Sequence, residues 1–379
     1  MLLVLIALAL LVGLHSLRGD RARLEYTRRR RAEPPRETPP ATVIVPVKGA
    51  DEGLAENLEA LAGLDYPDYE LLIVAREASD VPPGVLPAGS RLVLAGDEGP
   101  GGGEKVNNLL AAVAAARSET RVFAFADSDG RAGRGWLKAL VRGLEEPGAG
   151  AASGYRQYLP EPPDFWSQMR GVWNAVIAGE FGGRGAPFAW GGAMAIRREV
   201  FDRAKVAEAW CGALSDDSAL SAAVRKAGYR IIYAPGALVV SSDHTAAREL
   251  LRWIRRQLLI VRVHAPRLWM RALIGHIIYC GAMAASLAVA VQRPLLGTAL
   301  LAAQFVLAWR KGANRLRVIR AALPGRSGWL ARHGGVQVWW VPLGTWLWMI
   351  GLALSAAGNT IEWRGVRYRL SKRGVKQVG

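Results

Sequence analysis

Asp127 and Asp129 stand one residue apart, directly after the apolar run Val122–Ala126. Two carboxylates on such a turn can both reach a hard divalent cation, which in turn would neutralise a departing diphosphate. Acids after strands also serve as turn formers and caps, so the pair alone leaves both readings open. Glycines at 99 and 101–103 lead into Glu104, Lys105, Val106, Asn107 and Asn108. A cation at a helix start behind a glycine-rich loop is a phosphate contact in one reading and a surface loop in the other. Ser215, Asp216, Asp217 and Ser218 open a segment of helical spacing over 219–227. Paired acids there can cap the helix. They can also supply a general base, because a crowded neighbouring carboxylate raises proton affinity. Arg252, Trp253, Arg255, Arg256 and Gln257 form a last group, either a basic interfacial helix or an arginine and aromatic wall over a diphosphate.

Elements must bring these groups together. Residues 42–46, 69–74, 92–94 and 122–126 read as short strands, with helical spacing over 56–64 and 106–116 between them. Strands alternating with helices predict an α/β domain over 41–265 with a mostly parallel sheet. Ligands of such sheets bind beyond the carboxyl ends of the strands, where Asp127 and Asp129 fall.

The rest of the chain reads as membrane protein. Residues 1–17 carry no charged side chain, and seven arginines follow between Arg18 and Arg31. A cleaved signal has the opposite charge order, so this is an N-terminal anchor with the arginines in the cytoplasm. Residues 18–40, rich in arginine and proline, read as a basic linker. Apolar runs at 273–291, 295–309 and 336–357 predict transmembrane or interfacial helices over 266–357, the second run being short for a span. Residues 310–335 hold seven Lys/Arg and no acid, and read as a cytoplasmic loop. A basic tail occupies 358–379. One simple crossing from that loop would put the tail outside, against its charge; a helix broken near Pro342 resolves the conflict. The formal charge of +17 and pI near 10.5 fit either nucleic acid or a membrane surface. The charge clusters flank apolar runs, so nucleic acid is excluded as a partner. Cys211 and Cys280 are too few for a disulfide framework or a zinc site and read as reduced thiols.

In order and spacing, these motifs resemble the ceramide glucosyltransferase family, membrane glycosyltransferases of family-2-like GT-A fold. Pro46 to Asp51, Asn57 to Glu59 and Leu64 to Glu70 resemble its first strand and helix. Lys105 to Asn108 is similar to its Lys-Ile-Asn-Asn segment, and Asp127–Ser128 to its Asp-Ser motif. Gly191 to Met194 with Arg197 to Val200 resembles its acceptor-side loop. Ser215 to Asp217 matches its acidic pair, and Ile361 to Leu370 its Trp-Arg…Tyr-Arg-Leu tail. Two departures stand out. The family's first aspartate falls near Glu77. Its (Gln/Arg)xxRW motif is broken, since Glu249 precedes Arg252–Trp253, leaving Trp253, Arg256 and Gln257 as the working set.

The resemblance implies an inverting, metal-dependent hexosyltransferase that moves a sugar, glucose in the family, from a UDP-sugar to the hydroxyl of a ceramide-like membrane lipid. Asp127 and Asp129 would hold Mg2+ or Mn2+. Glu77 would contact uridine, and Lys105 and Arg256 would face phosphate. Asp217 would act as base with Asp216 beside it. The alternatives are transfer to a phospholipid, a hopanoid or a polysaccharide, and a non-catalytic membrane protein that binds a nucleotide. The Ala/Arg/Gly-rich composition points to a bacterial inner membrane.

Overall fold

The computed structural model describes residues 1–96, 102–363, 365–371 and 374–378. The chain opens with the apolar helix α1 (Leu2–Ser16) and, after a three-residue turn, the arginine-rich α2 (Asp20–Arg30). The segment expected as a linker is thus helical in its first half. Arginine is a good helix former, and buried Asp20 ties the turn down by accepting from Arg23, Lys311 and Asn314.

The α/β unit follows as β1 (Ala41–Pro46), α3 (Leu54–Ala62), β2 (Tyr69–Ala75), β3 (Arg91–Leu94), α4 (Glu104–Ala115), β4 (Val122–Ala126), α5 (Trp136–Leu144), β5 (Ala149–Ser153), β6 (Arg156–Tyr158), α6 (Phe165–Ala178), β7 (Ala193–Arg197), α7 (Arg198–Arg203), α8 (Val206–Trp210), α9 (Asp216–Lys226), β8 (Arg230–Tyr233) and β9 (Val239–Ser241). Seven strands form one sheet in the order β3-β2-β1-β4-β7-β5-β8. The pairs among β3, β2, β1 and β4 are parallel, β7 runs antiparallel to both neighbours, and β8 is parallel to β5. This is the expected mostly parallel α/β sheet. β1, β2 and β4 are near-continuous apolar runs because α3 and α5 cover one face and α4 and α9 the other.

The last third is helical, then stranded: α10 (Ala247–His264), α11 (Pro266–Gln292), α12 (Pro294–Ala322), α13 (Ser327–His333), α14 (Val336–Trp339), α15 (Val341–Ser355), and a three-stranded antiparallel sheet of β10 (Thr360–Trp363), β11 (Val366–Ser371) and β12 (Gly374–Gln377). Among the described residues, Leu2–Arg30 and Pro266–Gln292 are the two helical stretches long and apolar enough to cross a membrane. Two expectations are corrected here. The short 295–309 run belongs to a 29-residue helix whose second half is basic. Much of the expected 310–335 loop is therefore helix. The break expected near Pro342 is present: α14 ends at Trp339 and α15 starts at Val341, with Pro342 in its first turn. In the tail, β10, β11 and β12 form a sheet packed through Ile361, Tyr368 and Leu370 onto Leu214 and Leu259.

Candidate active site

The parallel strands β1, β2 and β4 end at one edge, and the loop after β4 carries Asp127, Ser128 and Asp129. Ser128 is buried; its hydroxyl donates to Asp51 Oδ2 at 2.5 Å, and its carbonyl accepts from Asn57 Nδ2 at 3.0 Å. Holding the middle residue inward leaves the flanking carboxylates facing away from α3. Both meet one guanidinium. Arg156 of β6 donates through Nη1 to Asp129 Oδ2 at 2.8 Å and through Nη2 to Asp127 Oδ2 at 3.2 Å, with a second, close contact from Nη2 to Asp129 Oδ1. Arg156 is itself buried, 4.9 Å from the Trp190 ring centroid and 5.6 Å from that of Tyr158. Burial opposes its charge, but Asp129 outweighs the penalty and holds it protonated.

Lys105 connects this pair to the second acidic pair. Its ammonium is 2.8 Å from Asp127 Oδ1 and 3.2 Å from Asp216 Oδ1. The sequence makes this possible at Gly102 and Gly103. Gly102 has φ +92°, and a Cβ there would lie 2.5 Å from the carbonyl of Ala213; the Gly103 amide donates to that same carbonyl at 2.8 Å. The start of α4 is thus fused to the backbone that leads into Ser215 and Asp216. Glycines 99 and 101 of the same loop lie outside the described residues. Burial favours a neutral Lys105, yet the Asp127 and Asp216 charges win and keep the ammonium.

Asp216 and Asp217 open α9 behind the N-cap Ser215. They differ sharply in setting. Asp216 is buried, and its Oδ2 takes no hydrogen bond among the described residues. A Cβ on Gly191 would sit 2.3 Å from that oxygen, and one on Gly192 2.6 Å from Asp127 Oδ2, so only glycine lets the loop before β7 pass. Burial pushes the Asp216 carboxyl up to about 6; Lys105 opposes the rise, and Asp217 and Asp127 add to it. Asp217 is half-buried. Its Oδ1 accepts the Ser218 amide at 2.6 Å and the Ser215 hydroxyl, while Oδ2 takes no hydrogen bond among the described residues.

The site therefore holds four carboxylates against two cations, Lys105 and Arg156. That balance repels a diphosphate unless further positive charge is supplied. The donor set fits a hard divalent ion: oxygens of Asp127 and Asp129 already converge on a single Arg156 nitrogen, a stand-in for a cation. Among the described residues no three His, Cys, Asp or Glu side chains come together, so the protein would supply two carboxylate ligands and a diphosphate and water the rest.

The remaining expected residues lie around this network. Trp253, Arg256 and Gln257 have i, i+3, i+4 spacing and share one side of α10. The Trp253 ring meets Tyr158 edge-on at 6.1 Å and Trp173 at 5.0 Å, one ring removed from Arg156. The Arg256 guanidinium lies 5.7 Å from the Trp363 ring of β10, and Gln257 is half-buried beside it. Arg364, in the tail motif, lies outside the described residues. Glu77 stands at the carboxyl end of β2, exposed, capping a short turn over Ala78–Asp80 and pairing with Arg76. The structure brings it to the same sheet edge but not into the acidic network. Sequence reasoning missed Arg156, Trp190, and the buried Arg170–Asp243 pair at 2.6 Å, whose guanidinium covers the Tyr158 ring at 4.1 Å.

Several solved structures share features of this fold. A mannosyltransferase from Pyrobaculum calidifontis, in complex with GDP-Man and Mn2+, is 20% identical over 94% of this chain and 98% of that one, with a TM-score of 0.47. A mycobacterial protein is 17% identical over 63% of this chain and 77% of its own, with a TM-score of 0.40. GalNAc-T7 with UDP, GalNAc and Mn2+ is 10% identical over 63% and 52%, with a TM-score of 0.42. These scores are low, and the likenesses are remote. No curated relative matches the sequence. The family model of glycosyl transferase family 21, by contrast, matches residues 1–376, nearly the whole chain. The protein belongs to glycosyl transferase family 21 and is a glycosyltransferase.

Proposed function

We propose that this chain transfers a sugar from a nucleoside diphosphate sugar to the hydroxyl of a membrane lipid, with inversion at the sugar carbon. UDP-glucose and a ceramide-like lipid are the substrates that the motif resemblance implies. The observation that carries the reading is Lys105, one ammonium within 2.8 Å of Asp127 and 3.2 Å of Asp216. It joins a diphosphate side to a proton-accepting side in one charge network.

Asp127 and Asp129 would hold Mg2+ or Mn2+, which supplies charge neutralisation to the departing diphosphate. Lys105 faces the same phosphate charge, and Arg256 lies further along α10. Glu77, at the end of β2, would meet the nucleoside. Asp217 presents its open Oδ2 to the acceptor hydroxyl and takes the proton as the oxygen attacks. Its fixed Oδ1 holds the carboxylate in orientation. Asp216, buried behind it, positions Lys105 at 3.2 Å. Trp253 closes the wall beside Tyr158. The carbon is attacked from the face opposite the diphosphate, so the Asp217 carboxylate would stand across the sugar from the metal held by Asp127 and Asp129.

The apolar helices α1 and α11 would anchor the chain in a bacterial inner membrane, with the α/β unit in the cytoplasm beside the arginines that follow α1. A lipid hydroxyl then reaches the site laterally. The test is product analysis. Purified protein is incubated with UDP-glucose, UDP-galactose and other UDP-sugars against ceramide, diacylglycerol and phospholipids, and products are weighed by mass spectrometry. A hexosyl-ceramide from UDP-glucose is the expected outcome. Sugar release without any lipid-linked product would overturn the acceptor assignment.

A further inference from the structure

α2 and α12 lie side by side and enclose an open recess of about 360 Å³ lined by Arg28, Arg31, Arg317, Arg320 and Ala321, none of them a residue of the acidic network. The spacing within each helix is i, i+3, so each contributes two guanidinium groups to one face. None of the four arginines has a carboxylate partner among the described residues. Arg317 meets the Asn314 side chain at 3.3 Å, and Arg320 the Leu330 carbonyl at 3.4 Å. The acids nearby in sequence are engaged elsewhere: Asp20 with Arg23 and Lys311, Glu25 with Arg21, and Glu33 with Arg30 and Arg142. Four like charges sharing one recess repel one another, and guanidinium forks match phosphate oxygens in geometry and charge.

The recess also has a defined place relative to the apolar helices. α12 is apolar through its first half, and the Trp309 ring near the end of that half packs edge-on against Trp339 at 5.2 Å. Paired tryptophans of this kind mark a membrane–water boundary. Arg317 is eight residues further on, about 12 Å along a helix axis. The headgroup layer extends roughly 5–7 Å beyond the hydrocarbon, and an arginine side chain spans most of the remaining gap.

We infer that the four-arginine recess between α2 and α12 binds a phosphate-bearing anion, and that its position favours the headgroup of an anionic phospholipid as the source. The site would fix the α2–α12 corner against the membrane surface and is separate from the donor diphosphate site.

The test uses the full-length protein in nanodiscs of phosphatidylcholine, with or without phosphatidylglycerol or cardiolipin, and native mass spectrometry to count retained lipid. Wild type should retain anionic lipid in preference to phosphatidylcholine. Arg28→Gln with Arg317→Gln, both at exposed positions, should weaken that retention about tenfold to thirtyfold. The control, Arg326→Gln with Arg332→Gln, removes equal charge from the segment that follows α12 but outside the recess. It should retain lipid as wild type does. Equal loss in the control would mean diffuse attraction and would overturn the site. Inorganic phosphate or pyrophosphate raising the melting temperature in pure phosphatidylcholine discs, with no preference for anionic lipid, would support the anion site and overturn the lipid source. Absence of both effects in wild type overturns the proposal. Sugar transfer by the Arg28/Arg317 variant in phosphatidylcholine should match wild type, which keeps this result separable from the assignment of the catalytic edge.

Discussion

At the carboxyl edge of the sheet, Lys105 and Arg156 each bridge two carboxylates and are buried by the elements that position them. Between α2 and α12, arginines of the same chain stand together with no carboxylate partner among the described residues. The first region has an excess of negative charge, and the second an excess of positive charge. Each imbalance names a missing ligand: a cation with a diphosphate at the edge, an anion in the recess. The edge is also the more rigid, since its charges come from β4, β6, α4 and α9 and are locked by buried hydrogen bonds. Mutations there should change rate constants and stability, whereas mutations in the recess should change lipid occupancy.

The strongest break in that comparison is at Asp217. Asp217→Asn keeps the shape and the Oδ1 contact to the Ser218 amide but removes the proton acceptor. Turnover should fall about 10²–10⁴-fold while UDP-sugar binding survives. A kcat within about threefold of wild type, with a lowered melting temperature, would instead make Asp217 a helix cap alone.

Next in size is the metal pair. Excess chelator should abolish transfer, and Mg2+ or Mn2+ should restore it. Asp127→Asn should cost more than Asp129→Asn, because Asp127 also holds Lys105 at 2.8 Å. Equal losses for the two variants would show that the Lys105 link contributes nothing. Full activity in chelator would remove the metal from the mechanism.

Arg156 sharpens the comparison from the side of stability. Arg156→Met strips the shared cation from two carboxylates and should destabilise the protein by about 3–5 kcal/mol, the cost of breaking a buried pair. Mn2+ should then bind more tightly than in wild type and recover part of the lost melting temperature. A variant as stable as wild type without metal would mean that the Arg156 pairing carries no weight.

Arg156 is also where the sequence was least legible. The acids were readable because local rules mark them: an apolar strand running into Asp127, and a serine cap before Asp216 and Asp217. Lys105 was readable from its place at a helix start. Arg156 sits in a three-residue strand, and its partners lie 27 and 29 residues away, so no local pattern announces it. β5, with the sequence Ala-Gly-Ala-Ala-Ser, lacks the β-branched residues that mark strands and is specified by burial between β7 and β8. The second half of α12 was read as loop because hydropathy treats arginines as breaks, although the arginine backbone continues a helix readily. Trp253, Arg256 and Gln257 were singled out through the family motif, but their neighbours, Tyr158 and Trp363, come from distant parts of the chain and carry no local signal.

The smallest effect expected is at Asp216, and it separates tuning from catalysis. Its folded carboxyl is raised to about 6 from an ordinary 3.8. A raised carboxyl keeps its proton in the folded state after the unfolded chain has lost it. Its stabilising contribution is therefore complete below about pH 3.8 and disappears as pH rises through about 6. Asp216→Asn cannot titrate, so the variant should lose this slope of stability between those values. In catalysis the sign is opposite. Above pH 6 the ionised Asp216 holds Lys105 and adds negative charge beside Asp217; below it that support is lost. Wild-type kcat/KM should fall on an acid limb near pH 6 as Asp216 gains its proton. Asp216→Asn should flatten or displace this limb while lowering kcat at pH 8 by less than about tenfold, since the base itself remains. If the variant keeps the limb unchanged and loses turnover as fully as Asp217→Asn, then Asp216 is no tuning residue and the two acids act as one base.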